Sequence, residues 1–115
     1  MQKVSKYEPL NHYVWGNGCD GWVLVDTEKL SVKQERMPSQ TSEALHYHEK
    51  AQQFFFILKG IATFEVEEKS FTVPAGEGFY IEAMKKHRII NNTAEDIEFI
   101  LSSEPNTGKD RYNCI

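Results

Sequence analysis

The chain has 115 residues and a formal net charge of −4, and it carries no basic stripe or arginine-rich tail. This balance argues against nucleic-acid binding, and no apolar stretch is long enough to span a membrane. We expect a single domain over residues 1–115, because a chain of this length and ordinary apolar content can bury a core without disulfides.

The cysteines and the amino-terminal residues indicate in which cellular compartment the protein is expected. The first residues include no apolar segment of the secretory type, which favours a cytoplasmic protein. Cys19 and Cys114 lie far apart in the sequence and form no CxxC motif, so we expect two free thiols in a reducing compartment. A structural disulfide between them is the alternative.

The amino-terminal third is predicted to be irregular at first and extended later. Met1–Leu10 is either a short edge strand or a mobile arm, and Asn11–Gly21 is predicted to be an aromatic-rich loop. His12 in this loop is interpreted as a surface residue, not as part of a site. Strands are expected at Trp22–Asp26 and at Leu30–Met37.

A pair of histidines gives the clearest chemical signal. His46 and His48 are two residues apart, and in an extended strand both imidazoles project from the same face. Two imidazoles on one face can bind one metal ion.

The strand that follows is the most hydrophobic of the chain. The run Gln52–Leu58 shows no alternation of apolar with polar residues, which predicts a strand buried on both faces. Gln53 shares a face with Phe55 and Ile57, so its amide can lie beside the histidines while the two apolar residues build core. Gly60 then supplies a turn.

The carboxy-terminal half contains more short strands, and no convincing amphipathic helix is predicted anywhere. About eight or nine strands at this spacing predict an all-β sandwich or barrel. Among small β folds, a double-sheet jelly roll encloses a cavity in which histidines of different strands can meet. The tail Ser103–Ile115 is polar and turn-prone, and the strands predicted before it are Ile61–Glu67, Ser70–Val73, Gly78–Glu82, His87–Asn91 and Ile97–Ser102.

Two segments between about residues 40 and 101 resemble the two motifs of the cupin superfamily, specifically of small single-domain cupins. The matching residues stand at the family's spacing, and they are His46, His48, Gly60, Gly76, His87 and Asn91. The resemblance implies a double-stranded β-helix, or jelly-roll barrel. The sequence departs from the motifs at Gln40, which replaces a glycine, and at Glu82, Met84 and Lys86, which replace a proline-glycine-proline turn.

The resemblance also implies a metal site made of His46, His48 and His87, with Gln53 at the position of the usual glutamate ligand. Neutral imidazoles suit zinc, copper, iron or nickel, and one divalent transition metal, with manganese as a further option, is expected. An amide oxygen binds a divalent ion more weakly than a carboxylate does, so we expect a looser metal. Gln53 coordinates the ion or hydrogen-bonds to a water on it.

Three classes of function follow. The first is a metal-dependent enzyme, such as a dioxygenase or a sugar isomerase or epimerase, that acts on a small oxygenated substrate. The second is a non-catalytic small-molecule binding protein, and the third is a structural protein with an empty pocket. Single-domain cupins commonly pair, so a homodimer is expected, and Gln34, Arg36 and Tyr80 are candidate polar contacts in the cavity.

Overall fold

The computed structural model describes residues 1–114, and in this range the regular structure consists of strands alone. No helix long and apolar enough to cross a membrane is present in that range. The strands are Asn11–Trp15 (β1), Cys19–Asp26 (β2), Ser31–Met37 (β3), Thr41–Ser42 (β4), His46–Tyr47 (β5), Gln52–Lys59 (β6), Ile61–Val66 (β7), Lys69–Pro74 (β8), Gly78–Ile81 (β9), His87–Asn91 (β10), Ile97–Glu104 (β11) and Tyr112–Asn113 (β12).

The strands form two antiparallel sheets. The first has the order β1-β2-β3-β11-β6-β9, and the second has the order β12-β5-β10-β7-β8, with β4 added to β10. Neighbours in a sheet are often distant in sequence, because β11 lies between β3 and β6 and β10 lies between β5 and β7. The predicted all-β jelly roll is therefore confirmed.

The core lies between the inner faces of the two sheets. The ring centroid of Phe55 in the first sheet lies 4.9 Å from that of Phe64 in the second sheet and 5.6 Å from that of Phe99 in its own sheet. These three side chains are 2% exposed or less. Burying rings of this size is worth about 1.5 to 3 kcal/mol each, so this cluster holds the sheets together.

The prediction that the apolar strand β6 is buried on both faces is wrong for the single chain. Gln53, Phe55 and Ile57 point inward and are buried, but Phe54, Phe56 and Leu58 are 38% to 45% exposed. Only one face of the first sheet packs against the second sheet, so alternate residues of β6 lie on the outside. The predicted sharing of one face by Gln53, Phe55 and Ile57 is confirmed.

The predicted aromatic loop is instead a hairpin. Asn11–Trp15 pairs with β2, which begins three residues earlier than expected, at Cys19. A Cβ on Gly21 would lie 1.9 Å from the Tyr13 ring. The glycine therefore leaves the space in which this ring packs over β2. His12 lies on the exposed side, 3.0 Å from Asp20, as expected for a surface residue.

The tail is more ordered than its composition indicated. The strand predicted to end at Ser102 continues to Glu104, and Tyr112–Asn113 adds a further strand that pairs with His46–Tyr47. Cys114 N donates to the carbonyl of Leu45 at 2.9 Å. The expectation of free thiols agrees with the structure, in which Cys19 and Cys114 are both unbridged.

Candidate metal centre

Two neighbouring strands of the second sheet bring the three motif histidines together. His46 on β5 stands directly opposite His87 on β10 in the antiparallel register, and His48 follows β5 by one residue. One ligand nitrogen from each ring lies within 4.8 Å of the other two. The alternation of side chains along β5 sends His46 and His48 to the same face, as the spacing predicted.

The three imidazoles are held in one tautomer by backbone carbonyls. Nδ1 of His46 lies 2.8 Å from the carbonyl of Ala44, and Nδ1 of His87 lies 2.8 Å from that of Lys85. Nδ1 of His48 lies 2.5 Å from the carbonyl of Asp110. Because a carbonyl can only accept, each Nδ1 carries the proton and each Nε2 presents a lone pair.

Burial keeps the rings uncharged. The three histidines are 1% to 3% exposed. Burial, followed by the proximity of His87, lowers the pKa of His46 to about 3, and burial lowers the pKa of His87 to about 4. The pKa of His48 is also lowered, chiefly by burial. Three neutral nitrogen donors face one another, which is the state that metal ligation requires.

Gln53 reaches this cluster from the first sheet. Its Oε1 lies 3.1 Å from Nε2 of His87, and its Nε2 donates to Oγ of Ser103 at 3.0 Å. Gln53 is 5% exposed. The structure thus brings together all four predicted site residues, with the amide oxygen turned toward the histidines.

The donor set fits a transition metal. Among the buried polar side-chain atoms of the described chain, Nε2 of His48 is left without a hydrogen-bond partner in the protein. A buried acceptor of this kind is costly unless something binds it. Three imidazole nitrogens and one amide oxygen are ligands that zinc, iron, nickel, copper or manganese accept.

A cavity of about 380 Å³ opens beside the cluster, with His46, His48 and Gln53 in its wall. Trp15, Phe55 and Leu101 give part of the lining an apolar character. The volume suits a small molecule. The polar lining includes Tyr13, Lys33, Glu35, Glu43 and Arg111.

Burial raises the pKa of two carboxyl groups in this lining. Burial raises the pKa of Glu43 to about 8, although Arg111 at 3.8 Å opposes the rise. Burial also raises the pKa of Glu35, which accepts a hydrogen bond from the hydroxyl of Tyr13. Burial, with Glu35 beside it, raises the pKa of the Tyr13 phenol. The cavity therefore contains acidic side chains with raised pKa values close to the three histidines.

The polar residues predicted for the cavity are not the ones found there. Gln34 contacts Glu98 at 3.3 Å, Arg36 pairs with Asp20 and Asp96, and Tyr80 is 57% exposed. Strand β3 alternates, and its inward residues are Lys33 and Glu35. The sequence shows this alternation but not which side of β3 faces inward.

The tail and the first hairpin contribute residues that sequence analysis missed. Arg111 comes from the turn-prone tail, and Tyr13 comes from the segment interpreted as a loop. Glu43 lies in an irregular connection, where no side-chain alternation predicts which residues point inward. No local signal in the sequence places these side chains in the cavity.

Two departures from the cupin motifs keep the backbone shape of the glycine they replace. Gln40 and Met84 have φ values of 60° and 72°, in the left-handed region that glycine adopts most easily. Met84 N donates to the carbonyl of His48 at 2.7 Å, so this turn supports the backbone of one of the three histidines. The turn is thus preserved without glycine or proline.

Several solved structures share the fold. A predicted oxalate decarboxylase of Thermotoga maritima is 23% identical, with a TM-score of 0.80 over 91% of this chain and 100% of that one. KdgF from a Halomonas species is 17% identical, with a TM-score of 0.76 over 84% and 86% of the two chains. A sugar phosphate isomerase of Silicibacter pomeroyi is 17% identical, with a TM-score of 0.75 over 85% and 66%.

Sequence comparison identifies the family. No curated protein matches the chain. The model of the cupin domain matches residues 33–103, which include the three histidines, Gln53 and both motif turns. Since this match covers more than half of the 115 residues, and the two-sheet fold agrees with it, the chain belongs to the cupin domain family.

Proposed function

We propose that the chain binds one divalent transition metal through His46, His48 and His87, with Gln53 as a fourth protein ligand. Zinc, iron, nickel, manganese and copper are the candidates. The observation that carries the proposal is the convergence of one ligand nitrogen from each of three buried histidines within 4.8 Å, beside a cavity that His46 and His48 line. The substrate is a small oxygenated molecule held in that cavity.

Proton transfer is the chemistry that the cavity supports best. A bound metal would act as a Lewis acid that polarises an oxygen of the substrate. Burial raises the pKa of Glu43 to about 8 in the metal-free protein, so Glu43 can give a proton to a bound molecule and, when ionised, take one from it. Tyr13 donates to Glu35 and so keeps a second proton-bearing pair in the same cavity.

This combination favours an isomerase or epimerase over the other enzyme class considered, a dioxygenase. Moving a proton between carbon and oxygen of a sugar or hydroxy-carbonyl compound needs an electrophile and an acid–base group. A metal at the histidines would supply the electrophile, and Glu43 on the cavity wall would supply the acid–base group. One structural neighbour is described as a sugar phosphate isomerase, and this agrees with the proposal without establishing it.

Non-catalytic binding of a small molecule is the second candidate. The observation that favours it is Gln53, whose neutral amide occupies the position of the usual glutamate and attracts a divalent ion less strongly. A loosely held metal suits a reversible sensor or storage protein. In that case Glu43 and Tyr13 would only orient the ligand.

Hydrogen exchange with solvent separates these candidates. Protein loaded with Zn²⁺ or Fe²⁺ is incubated in deuterated water with small aldoses, ketoses and hydroxy acids, and NMR follows loss of carbon-bound protons. We expect metal-dependent deuterium uptake into one class of compound, reduced in Glu43→Gln and abolished in the double variant His46→Ala, His48→Ala. Glu95→Gln, which alters an exposed acid, serves as the control.

The other outcomes are equally definite. Oxygen consumption without deuterium uptake would replace isomerisation by dioxygenase chemistry. Saturable, metal-dependent binding of a compound with neither deuterium uptake nor oxygen consumption would support the binding protein. Activity that survives removal of metal and of both histidines would refute the metal-dependent proposal.

We further propose a homodimer formed through the outer face of β6. Phe54, Phe56 and Leu58 are 38% to 45% exposed there, and Tyr80 on the neighbouring strand is 57% exposed. A two-fold pairing that covers this apolar face would complete the burial that the sequence of β6 predicted.

We also propose a cytoplasmic location. Free Cys19 and Cys114 agree with it, because thiols stay reduced in that compartment.

A further inference from the structure

The carboxy-terminal tail returns to the strand that carries His46. Tyr112 and Asn113 pair with Tyr47 and His46, and the rings of Tyr47 and Tyr112 stack with centroids 5.3 Å apart. The family match ends at residue 103, so these contacts lie outside the matched cupin domain. The tail thus extends the sheet next to His46 with residues that lie beyond the matched cupin domain.

Asp110 ties this tail to the turn between β5 and β6. Its carboxylate accepts hydrogen bonds from three consecutive backbone N–H groups, from Glu49 at 2.8 Å and from Lys50 and Ala51 at 3.0 Å each. Asp110 is only 7% exposed. A carboxylate that bridges three backbone donors fixes both its own backbone and that of the turn.

The backbone carbonyl of Asp110 forms a hydrogen bond with His48. This carbonyl accepts the proton of Nδ1 of His48 at 2.5 Å, across 62 residues of sequence. His46 and His87 take their carbonyl partners two residues away on their own segments, from Ala44 and Lys85. His48 is therefore the member of the cluster whose orientation depends on the tail.

We propose that Asp110 is a positioning residue of the metal centre, which fixes the tautomer and direction of His48 by anchoring the carbonyl that receives its Nδ1 proton. Outer contacts of this kind typically change metal affinity by about 10- to 100-fold. The inference rests on the proposed metal site, and it adds a residue that the cupin motifs do not include.

Metal titration of the full-length protein tests the proposal. Asp110→Asn keeps the volume but replaces one acceptor oxygen by a donor that faces backbone N–H groups. We expect Co²⁺ affinity, measured by competition with a chromophoric chelator, to fall about tenfold or more, with a changed visible spectrum of bound Co²⁺. Lys109→Ala controls for a change in the tail, and Glu95→Gln controls for the loss of one exposed negative charge. Both should bind Co²⁺ like the wild type.

Imidazole nitrogen NMR of the metal-free protein gives a readout that a purely structural role would not move. In the wild type, His48 should carry its proton on Nδ1, and in Asp110→Asn part of the population should shift to Nε2 while His46 and His87 stay unchanged. If Asp110→Asn does not fold, Asp110→Ser, which keeps a shorter acceptor, replaces it.

The results separate this inference from the proposed function. Equal Co²⁺ affinity and an equal His48 tautomer in wild type and Asp110→Asn would overturn the positioning role. A wild-type His48 protonated on Nε2 would overturn it directly. Failure of the wild type to bind Co²⁺ would refute the metal centre, and the tautomer comparison in the metal-free protein would still decide what Asp110 does.

Discussion

Oε1 of Gln53 lies 3.1 Å from Nε2 of His87, and both atoms carry lone pairs, because Nδ1 of His87 gives its proton to the carbonyl of Lys85. Two acceptors at this distance repel each other unless a cation lies between them or the amide turns over. The amide nitrogen of Gln53 is directed at Ser103 instead, at 3.0 Å. This arrangement supports the proposal that the oxygen of Gln53 binds a metal.

Gln53→Glu should therefore strengthen metal binding. The substitution keeps the shape of the side chain and adds a negative charge beside a divalent ion, and we expect affinity to rise about tenfold or more, which corresponds to about 1.4 kcal/mol. Competition with a chromophoric chelator at one pH measures the change. Gln52→Glu adds the same charge on the exposed face of β6 and should leave affinity unchanged. Equal affinity of Gln53→Glu and wild type would remove Gln53 from the ligand set.

Glu43→Gln should stabilise the metal-free protein at alkaline pH. The pKa of Glu43 is raised from 4.5 to about 8 in the folded state, so its contribution to stability is fully present below pH 4.5 and is lost as pH rises toward 8. Gln imitates the protonated form at every pH. We expect a gain of roughly 1 to 4 kcal/mol near the folded-state pKa and none below the unfolded one.

Urea unfolding at several pH values measures this difference for Glu43. Glu95→Gln, at an exposed position, should show no comparable dependence on pH. A stability difference between Glu43→Gln and wild type that stays constant from acid to alkaline pH would contradict a raised pKa of Glu43 in the folded protein.

Met84→Gly should stabilise the turn that supports His48. Met84 has a φ of 72° and is 57% exposed, so glycine relieves the backbone and gives up little packing. We expect a gain of roughly 0.5 to 1 kcal/mol in the free energy of unfolding. Ala83→Gly, at a neighbour outside the left-handed region, should instead lower stability. A loss of stability in both variants would contradict the predicted strain at Met84.

Phe56→Lys should break the proposed dimer. The substitution places a charge in the centre of the exposed apolar face of β6, where Phe56 is 38% exposed. Light scattering at micromolar concentration should give a dimer for the wild type and a monomer for the variant. Phe71→Lys, at a 40% exposed position on the other sheet, should remain dimeric. A monomeric wild type would contradict the dimer.

The parts of the site that local sequence patterns define were predictable. The two-residue spacing of His46 and His48 and the face of Gln53 follow from the geometry of a strand, and the resemblance to cupins added His87. The strand order is set by long-range pairing, so nothing near Asp110 in the sequence indicates that it contacts His48, and nothing near Tyr13 indicates that it lines the cavity. The two-residue spacing of Lys33 and Glu35 places both side chains on one face of β3. Only the packing of the two sheets determines that this face is turned toward the cavity.

The outer face of β6 shows a second limit of prediction from sequence. Its run of apolar residues predicts burial on both faces, but the single chain buries only one of them. An exposed apolar strand face is also the pattern expected of a surface that another subunit covers. The pattern alone does not separate a core from an interface.

Metal content is the measurement that tests the central claim most directly. Wild-type protein and the double variant His46→Ala, His48→Ala are purified in parallel without chelator and analysed for transition metals by mass spectrometry, with circular dichroism to establish that both are folded. We expect bound metal, up to one ion per chain, in the wild type and almost none in the variant. Equal metal content in the two folded proteins would contradict a metal centre at these histidines.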